Sequence, residues 1–89
     1  MVSFGLEMKE KNSDLKNIIG PQIRRIRLKM GLTQEQLAAK CQLAGFDVSR
    51  GVLSQIEAQL RCVSDYELLK LSRILKVSAQ ELLSHKMKE

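Results

Sequence analysis

Apolar residues recur along the chain at the three- and four-residue spacing that places side chains on one face of a helix. Ile19, Ile23, Ile26 and Met30 form the first such set. Pro21 suits the first turn of a helix, because its missing N–H would have no intrahelical partner there. The pattern therefore predicts a first helix from about Pro21 to Met30, ended by the glycine that follows.

The next two helices are predicted from their first turns. Thr33 and Gln36 have the spacing of a capping box, in which each side chain bonds the other residue's backbone N–H. Gly45 is the expected end of the second helix, and Asp47 or Ser49 can cap the third. The expected buried residues are Leu37, Ala38, Cys41 and Ala44 on the second helix, Phe46 after it, and Val52, Leu53 and Ile56 on the third.

Two further helices complete the pattern. Ser64 with Glu67, and Ser78 with Glu81, repeat the capping-box spacing. The expected buried residues are Leu68, Leu69, Leu71, Ile74 and Leu75 on the fourth helix, and Leu82 and Leu83 on the fifth. Three capping boxes without a hairpin pattern predict an all-α fold.

Length and composition limit the size of this fold. A chain of 89 residues forms one domain with one modest core, and an aromatic content of 3% makes that core aliphatic. We expect residues 13–85 to form the domain and residues 1–12 and 86–89 to be tails.

Charge and cysteine content narrow the class of partner. The chain has 15 Lys and Arg against 10 Asp and Glu, a net charge of +5. This favours an anionic partner such as nucleic acid or an acidic membrane surface, although many small domains have a similar excess. Cys41 and Cys62 lack metal-site spacing, so we expect free thiols, no metal and no cofactor. Without a membrane-spanning run or a signal peptide, we expect a cytoplasmic protein that does not bind membranes.

The third helix has hydrogen-bonding side chains on its outer side, namely Ser49, Arg50, Ser54 and Gln55. In a helix-turn-helix, the second helix of the pair lies in the major groove of DNA. There Arg pairs with guanine, Gln pairs with adenine, and Ser pairs with several bases. The same residues are equally typical of the solvated face of an amphipathic helix, so the pattern alone leaves both interpretations open.

Three segments resemble the Xre/Cro-like family of helix-turn-helix proteins, to which the lambdoid phage repressors belong. They are IGPQIRRIRLKMGLTQEQLAAKC, VSRGVLSQIEAQ and LLKLSRILKVSAQELL, and together they span Ile19 to Leu83. The resemblance implies a compact five-helix, λ-repressor-like DNA-binding domain. It also implies a transcriptional regulator, most simply a repressor that binds a pseudo-palindromic double-stranded operator as a homodimer.

The resemblance assigns roles to particular residues. Base edges would be contacted by Ser49, Arg50 and Gln55, with Ser54 on the same outer side. Phosphates would be contacted by Gln34 and Arg61, with Lys40 as a further cation expected near that face. Arg27 and Glu57 would form an internal ion pair between the first and third helices, with a phosphate contact as the second role of Arg27.

Two departures from the family pattern affect the expected interface. The connector from Cys41 to Val48 is about five residues longer than the family's tight turn. It predicts a second helix extended by about one turn, a looped connection and a shifted angle for the third helix. Gly51 occupies a position where relatives often have a long base-reading side chain, so few residues are left for direct readout.

The sequence also bears on two other classes of protein, an enzyme and a protein-interaction module. The sequence has no Gly-rich phosphate loop, paired-carboxylate site or nucleophile–His arrangement, so we expect no enzyme, and no small-molecule ligand is evident. The alternative is an antitoxin or adaptor-type protein-interaction module with the same fold. Cations clustered around Gln34, Arg50 and Arg61 would favour DNA, whereas an even spread would favour the adaptor. Tyr66 is expected to pack against the domain more than to contact a second copy.

Overall fold

The computed structural model describes residues 15–84, and this part of the chain is helical without strands. The helices are α1 at Gly20–Lys29, α2 at Gln34–Leu43, α3 at Arg50–Glu57, α4 at Asp65–Leu75 and α5 at Ala79–Leu83. The all-α, five-helix fold expected from the sequence is therefore confirmed. The expected tails at 1–12 and 86–89 lie outside the described residues.

Local side-chain chemistry determines where the helices begin. Thr33 Oγ1 accepts from the Gln36 backbone N–H at 3.0 Å, and the Thr33 N–H donates to Gln36 Oε1 at 2.8 Å. The same pair of bonds opens α4. At α5, Ser78 Oγ accepts from the Glu81 N–H, but in the described part of the chain the Ser78 N–H does not donate to the Glu81 carboxylate. The third predicted capping box is therefore only half formed.

Gly45 ends α2, as the sequence predicts. Its φ of +87° is a left-handed conformation that favours glycine. The Gly45 N–H donates to the Gln42 carbonyl at 3.0 Å, and the Phe46 N–H donates to the Cys41 carbonyl at 2.8 Å. These are the two bonds of a Schellman ending, and Phe46 is buried beside it.

The connector between α2 and α3, residues 44–49, is held against the domain. Val48 is buried, and its carbonyl accepts from Gln42 Nε2 at 2.8 Å. Lys70 Nζ lies 5.6 Å from the centroid of the Phe46 ring, within cation–π range. Ser49, rather than Asp47, caps α3. The longer connector thus has its own packing and capping contacts that hold the start of α3.

One aliphatic core lies where α1, α2 and α3 meet, with α4 packed on α2 and α5 packed on α1 and α4. Its members are Ile19, Ile23, Ile26, Leu37, Ala38, Cys41, Phe46, Val48, Leu53, Ile56, Leu71, Leu75 and Leu82.

Four residues expected in the core, and one expected to pack against the domain, are exposed. Met30, Ala44 and Leu83 lie at the ends of α1, α2 and α5, where no other helix covers them. Leu69 is two positions from the buried Leu71, which places it on the opposite face of α4. Tyr66 shares that outer face and is 77% exposed, so the expectation that it packs against the domain was wrong.

Candidate nucleic-acid interface

α3 has one face in the core and one face outside. Leu53, Ile56 and Glu57 are buried. The outer side holds Arg50, Gly51 and Gln55, all exposed, and the half-buried Ser54. All four residues that the sequence predicted for base contact therefore lie at the start or on the outer side of one helix. They are Ser49, Arg50, Ser54 and Gln55.

These polar residues differ in how far the protein already uses them. Ser49 Oγ accepts from the Val52 N–H at 3.2 Å, so this oxygen caps α3. Within residues 15–84, the Arg50 guanidinium and the Gln55 amide make no hydrogen bond or salt bridge to protein. The described part of the protein therefore does not engage the side-chain polar groups of Arg50 and Gln55.

The inner side of α3 is attached to α1 by a buried ion pair. Arg27 Nε donates to Glu57 Oε2 at 2.7 Å, and Arg27 Nη2 donates to Glu57 Oε1 at 3.0 Å. Arg27 Nη1 donates to the Leu32 carbonyl at 2.8 Å. The hydrogen bond to Glu57 raises the pKa of Arg27 above its ordinary value, against the opposing effect of burial. The pair that the family resemblance implies is present.

Gln34 extends this network from the start of α2. Its Nε2 donates to Glu57 Oε1 at 3.0 Å, so the side chain joins α2 to the end of α3. Gln34 and Arg50 also line one open hollow of about 370 Å³, together with Arg27, Thr33 and Glu35. The structure thus brings a predicted phosphate contact and a predicted base contact to the same hollow, beside the N-terminal turn of α2. N–H groups at such a turn favour anions.

Arg61 has an ionic partner within the protein. Its Nη1 and Nη2 donate to Glu67 Oε1 and Oε2, both at 3.2 Å, and Nη1 also donates to the Cys62 carbonyl. The hydrogen bond from Arg61 is the main cause that lowers the pKa of Glu67. A phosphate at Arg61 would therefore have to compete with a carboxylate.

Lys40 lies in a different place from the other predicted phosphate contacts. It lines a hollow of about 310 Å³ with Leu43, Ala44, Arg73, Ile74 and Lys76. No residue of this hollow lines the one that contains Gln34 and Arg50. The structure therefore groups Gln34 with Arg50 and separates Lys40 from both.

Sequence reasoning missed the contacts that hold the C-terminal end of α3. Asn17 Nδ2 donates to the Ile56 carbonyl at 3.1 Å and to the Arg61 carbonyl at 2.9 Å. Asn17 Oδ1 accepts from the Gly20 N–H at 2.8 Å. A Cβ at Gly20 would lie 2.4 Å from the Ile56 carbonyl oxygen, so only glycine lets α1 begin this close to α3. The Asn17 partners are 39 and 44 residues away, and no local pattern marks them.

Neither cysteine belongs to a metal group or a disulfide in the described structure. Cys41 and Cys62 are both free, and residues 15–84 contain no cluster of three His, Cys, Asp or Glu side chains that could hold a metal. Burial raises the pKa of the Cys41 thiol to about 11, so it stays protonated and unreactive at neutral pH. No helix in the described part combines the length and apolarity needed to cross a membrane.

The fold and the outer face of α3 together define the class of protein. A helix-turn-helix family model matches residues 23–82, which include α2, the connector and α3. The chain belongs to this family, the Xre/Cro-like helix-turn-helix proteins, which are DNA-binding transcriptional regulators.

A solved structure gives a more particular likeness. The chain is similar to the restriction-modification controller protein C.AhdI from Aeromonas hydrophila, with 34% identity and a TM-score of 0.60. The alignment covers 72% of this chain and 86% of C.AhdI. A comparison with curated proteins found no match.

Proposed function

We propose that this protein is a cytoplasmic, sequence-specific regulator of transcription that inserts α3 into the major groove of a double-stranded operator. The observation that carries the proposal is the contrast between the two sides of α3. Glu57 on the inner side is held by Arg27 and Gln34, whereas Arg50 and Gln55 on the outer side have no protein partner in the described structure. A rigidly held helix with free base-reading side chains is the arrangement that direct readout requires. The likeness to the controller C.AhdI supports a regulatory role.

The residues proposed to contact DNA divide into two groups. Arg50, Gln55, Ser54 and Ser49 contact base edges and carry sequence information. Gln34, Arg61 and Lys40 contact phosphates and set the register of the protein on the duplex. By occupying an operator that overlaps a promoter, the protein would act as a repressor.

The test begins with selection of bound sequences from random duplex DNA, followed by salt titrations on the selected operator and on a scrambled duplex. Arg50→Ala should weaken operator binding by about 1–3 kcal/mol, relax preference at one base pair and change scrambled-duplex binding less. Arg73→Ala, which removes the same charge from α4, is the matched control. Equal loss on both duplexes for Arg50→Ala would contradict the base-contact assignment and indicate that the longer connector re-aims α3.

The phosphate contacts have a different signature. Gln34→Ala should weaken both duplexes alike without changing the salt dependence, because its amide is neutral. Arg61→Ala and Lys40→Ala should each weaken both duplexes and flatten the logarithmic salt slope by about one unit. An unchanged slope for either variant would show that the substituted residue does not contact a phosphate.

The proposed homodimer uses the apolar outer face of α4 and α5. Tyr66, Leu69 and Leu83 are exposed there, and the half-buried Leu68 lines one hollow with Leu83 and another with Tyr66 and Leu69. An apolar patch of this kind is typical of a protein contact surface. Leu69→Glu should abolish self-association in sedimentation and leave only half-site footprints. Leu28→Glu, at an exposed apolar position on α1, should do neither; if Leu69→Glu also has no effect, the proposed surface is wrong.

One observation favours the alternative, a protein-interaction module. Leu43 is 89% exposed at the end of α2, in the hollow that also contains Lys40, Arg73 and Lys76. A solvent-facing leucine among cations is suited to an acidic protein partner. If the unmodified protein shows no affinity for any duplex at low salt, the interaction-module function replaces the DNA-binding one.

A further inference from the structure

Gly51 lies in the middle of the outer face of α3. It directly follows Arg50, and it precedes Ser54 and Gln55 by three and four positions, the spacing of neighbours on one side of a helix. It is exposed, so no other described part of the protein covers it. The face that is proposed to meet DNA therefore has a notch at its centre, surrounded by the side chains that are proposed to contact bases.

Nothing in residues 15–84 explains this glycine. At Gly20, an added Cβ would clash with a backbone carbonyl of α3, and Gly31 and Gly45 have positive φ angles. At Gly51 the backbone is helical, and an added Cβ would meet only Ser49 Oγ, at 3.8 Å, an ordinary contact. Alanine would therefore fit, and it is a better helix former than glycine.

We propose that Gly51 is a specificity-determining residue that lets the backbone of α3 approach the edge of an operator base pair directly. This inference rests on the proposed DNA-binding function. Glycine is the residue that permits close approach of a backbone to a ligand, because it has no Cβ. A base edge in the notch would bring Arg50, Ser54 and Gln55 within reach of the neighbouring bases. Selectivity at the notch is then steric and complements the hydrogen bonds made by these side chains.

Gly51→Ala tests the inference because it should raise the stability of the fold and lower the affinity for the operator. The melting temperature, followed by circular dichroism, should rise, since alanine is the better helix former and meets no clash. Affinity for the selected operator, measured by fluorescence anisotropy, should fall at least tenfold. Affinity for a scrambled duplex should change less than twofold, because non-specific complexes depend on phosphate contacts and not on a fitted base edge.

Ala39→Gly on the exposed side of α2 is the matched control. It should lower the melting temperature and leave operator affinity unchanged, which separates the effect of the notch from an effect of stability. If Gly51→Ala binds the operator as tightly as the unmodified protein does, the inference is overturned while the proposed function stands. If the unmodified protein binds no duplex, both are overturned.

Discussion

The described part of the chain contains two arginine–glutamate pairs, which lie in contrasting environments. The side chains of Arg27 and Glu57 are 8% and 3% exposed, and the pair joins residues 30 positions apart. The side chains of Arg61 and Glu67 are 33% and 24% exposed, and the pair joins residues six positions apart. Both pairs have two hydrogen bonds between guanidinium and carboxylate, so geometry alone does not distinguish them.

The difference shows that burial changes the structural role of an ion pair. Removing Arg27 and Glu57 from water carries a large desolvation penalty, which their mutual bonds and those from Gln34 and to Leu32 offset. The main consequence is orientation, because α1, α2 and α3 are joined at one carboxylate. The Arg61–Glu67 pair is half-buried and partly screened by water, and it supports a local feature, the start of α4, where Glu67 also accepts from the Ser64 N–H.

The largest expected effect comes from breaking the buried pair. Arg27→Ala or Glu57→Ala leaves an uncompensated buried charge and should lower the free energy of unfolding by about 3–5 kcal/mol, measured by urea denaturation. The double variant Arg27→Met/Glu57→Leu, which strands no charge, should recover most of this loss. If both single variants unfold within about 0.5 kcal/mol of the unmodified protein, the pair does not hold the fold.

Breaking the half-buried Arg61–Glu67 pair should have a smaller effect. Glu67→Ala removes a partly exposed ion pair and one bond of the α4 capping box, so we expect a loss of about 1 kcal/mol in the same denaturation experiment. Glu35→Ala, in the first turn of α2 but without an ion pair in the described structure, is the control and should change stability less. A loss at Glu67 comparable with that at Glu57 would remove the contrast between the two pairs.

The smallest effect concerns pH. The pKa of Glu67 is lowered below its ordinary value of 4.5 by Arg61, with a contribution from the Ser64 N–H. A group with a lowered folded-state pKa stabilises the fold above its unfolded pKa, and this stabilisation is lost as pH falls through the folded pKa. The stability difference between the unmodified protein and Glu67→Gln should therefore be full at neutral pH and shrink below about pH 4.5. Melting curves that give a constant difference from pH 7 to pH 3 would contradict the assignment.

Local sequence was sufficient to predict most of the fold. The capping residues Thr33 and Ser64, the Gly45–Phe46 ending and the inward positions of α3 were all predicted correctly. The half-formed box at Ser78 shows the limit of the pattern, because residue spacing permits the return bond but does not ensure it. Likewise, Leu69 was expected inside because it is apolar, although its position on α4 directs it outward.

The candidate interface was only partly predictable. The outward direction of Arg50 and Gln55 follows from helical periodicity, and the family resemblance supplied the Arg27–Glu57 pair. The Glu67 partner of Arg61 and the separation of Lys40 from Arg50 were not foreseen. The Arg61–Glu67 pair lies within six positions but matches no motif, and the separation of Lys40 depends on how α4 packs on α2.

Helix starts and ends could be determined from the sequence because their hydrogen bonds join atoms within a few residues of one another, where residue type and spacing set the geometry. Only the tertiary structure determined which residues outside the helix-turn-helix support α3. Asn17 reaches carbonyls at the end of α3, and α1 begins so close to α3 that Gly20 has no space for a side chain. These contacts join residues about 40 positions apart, so they exist only after the core has brought α1 and α3 together.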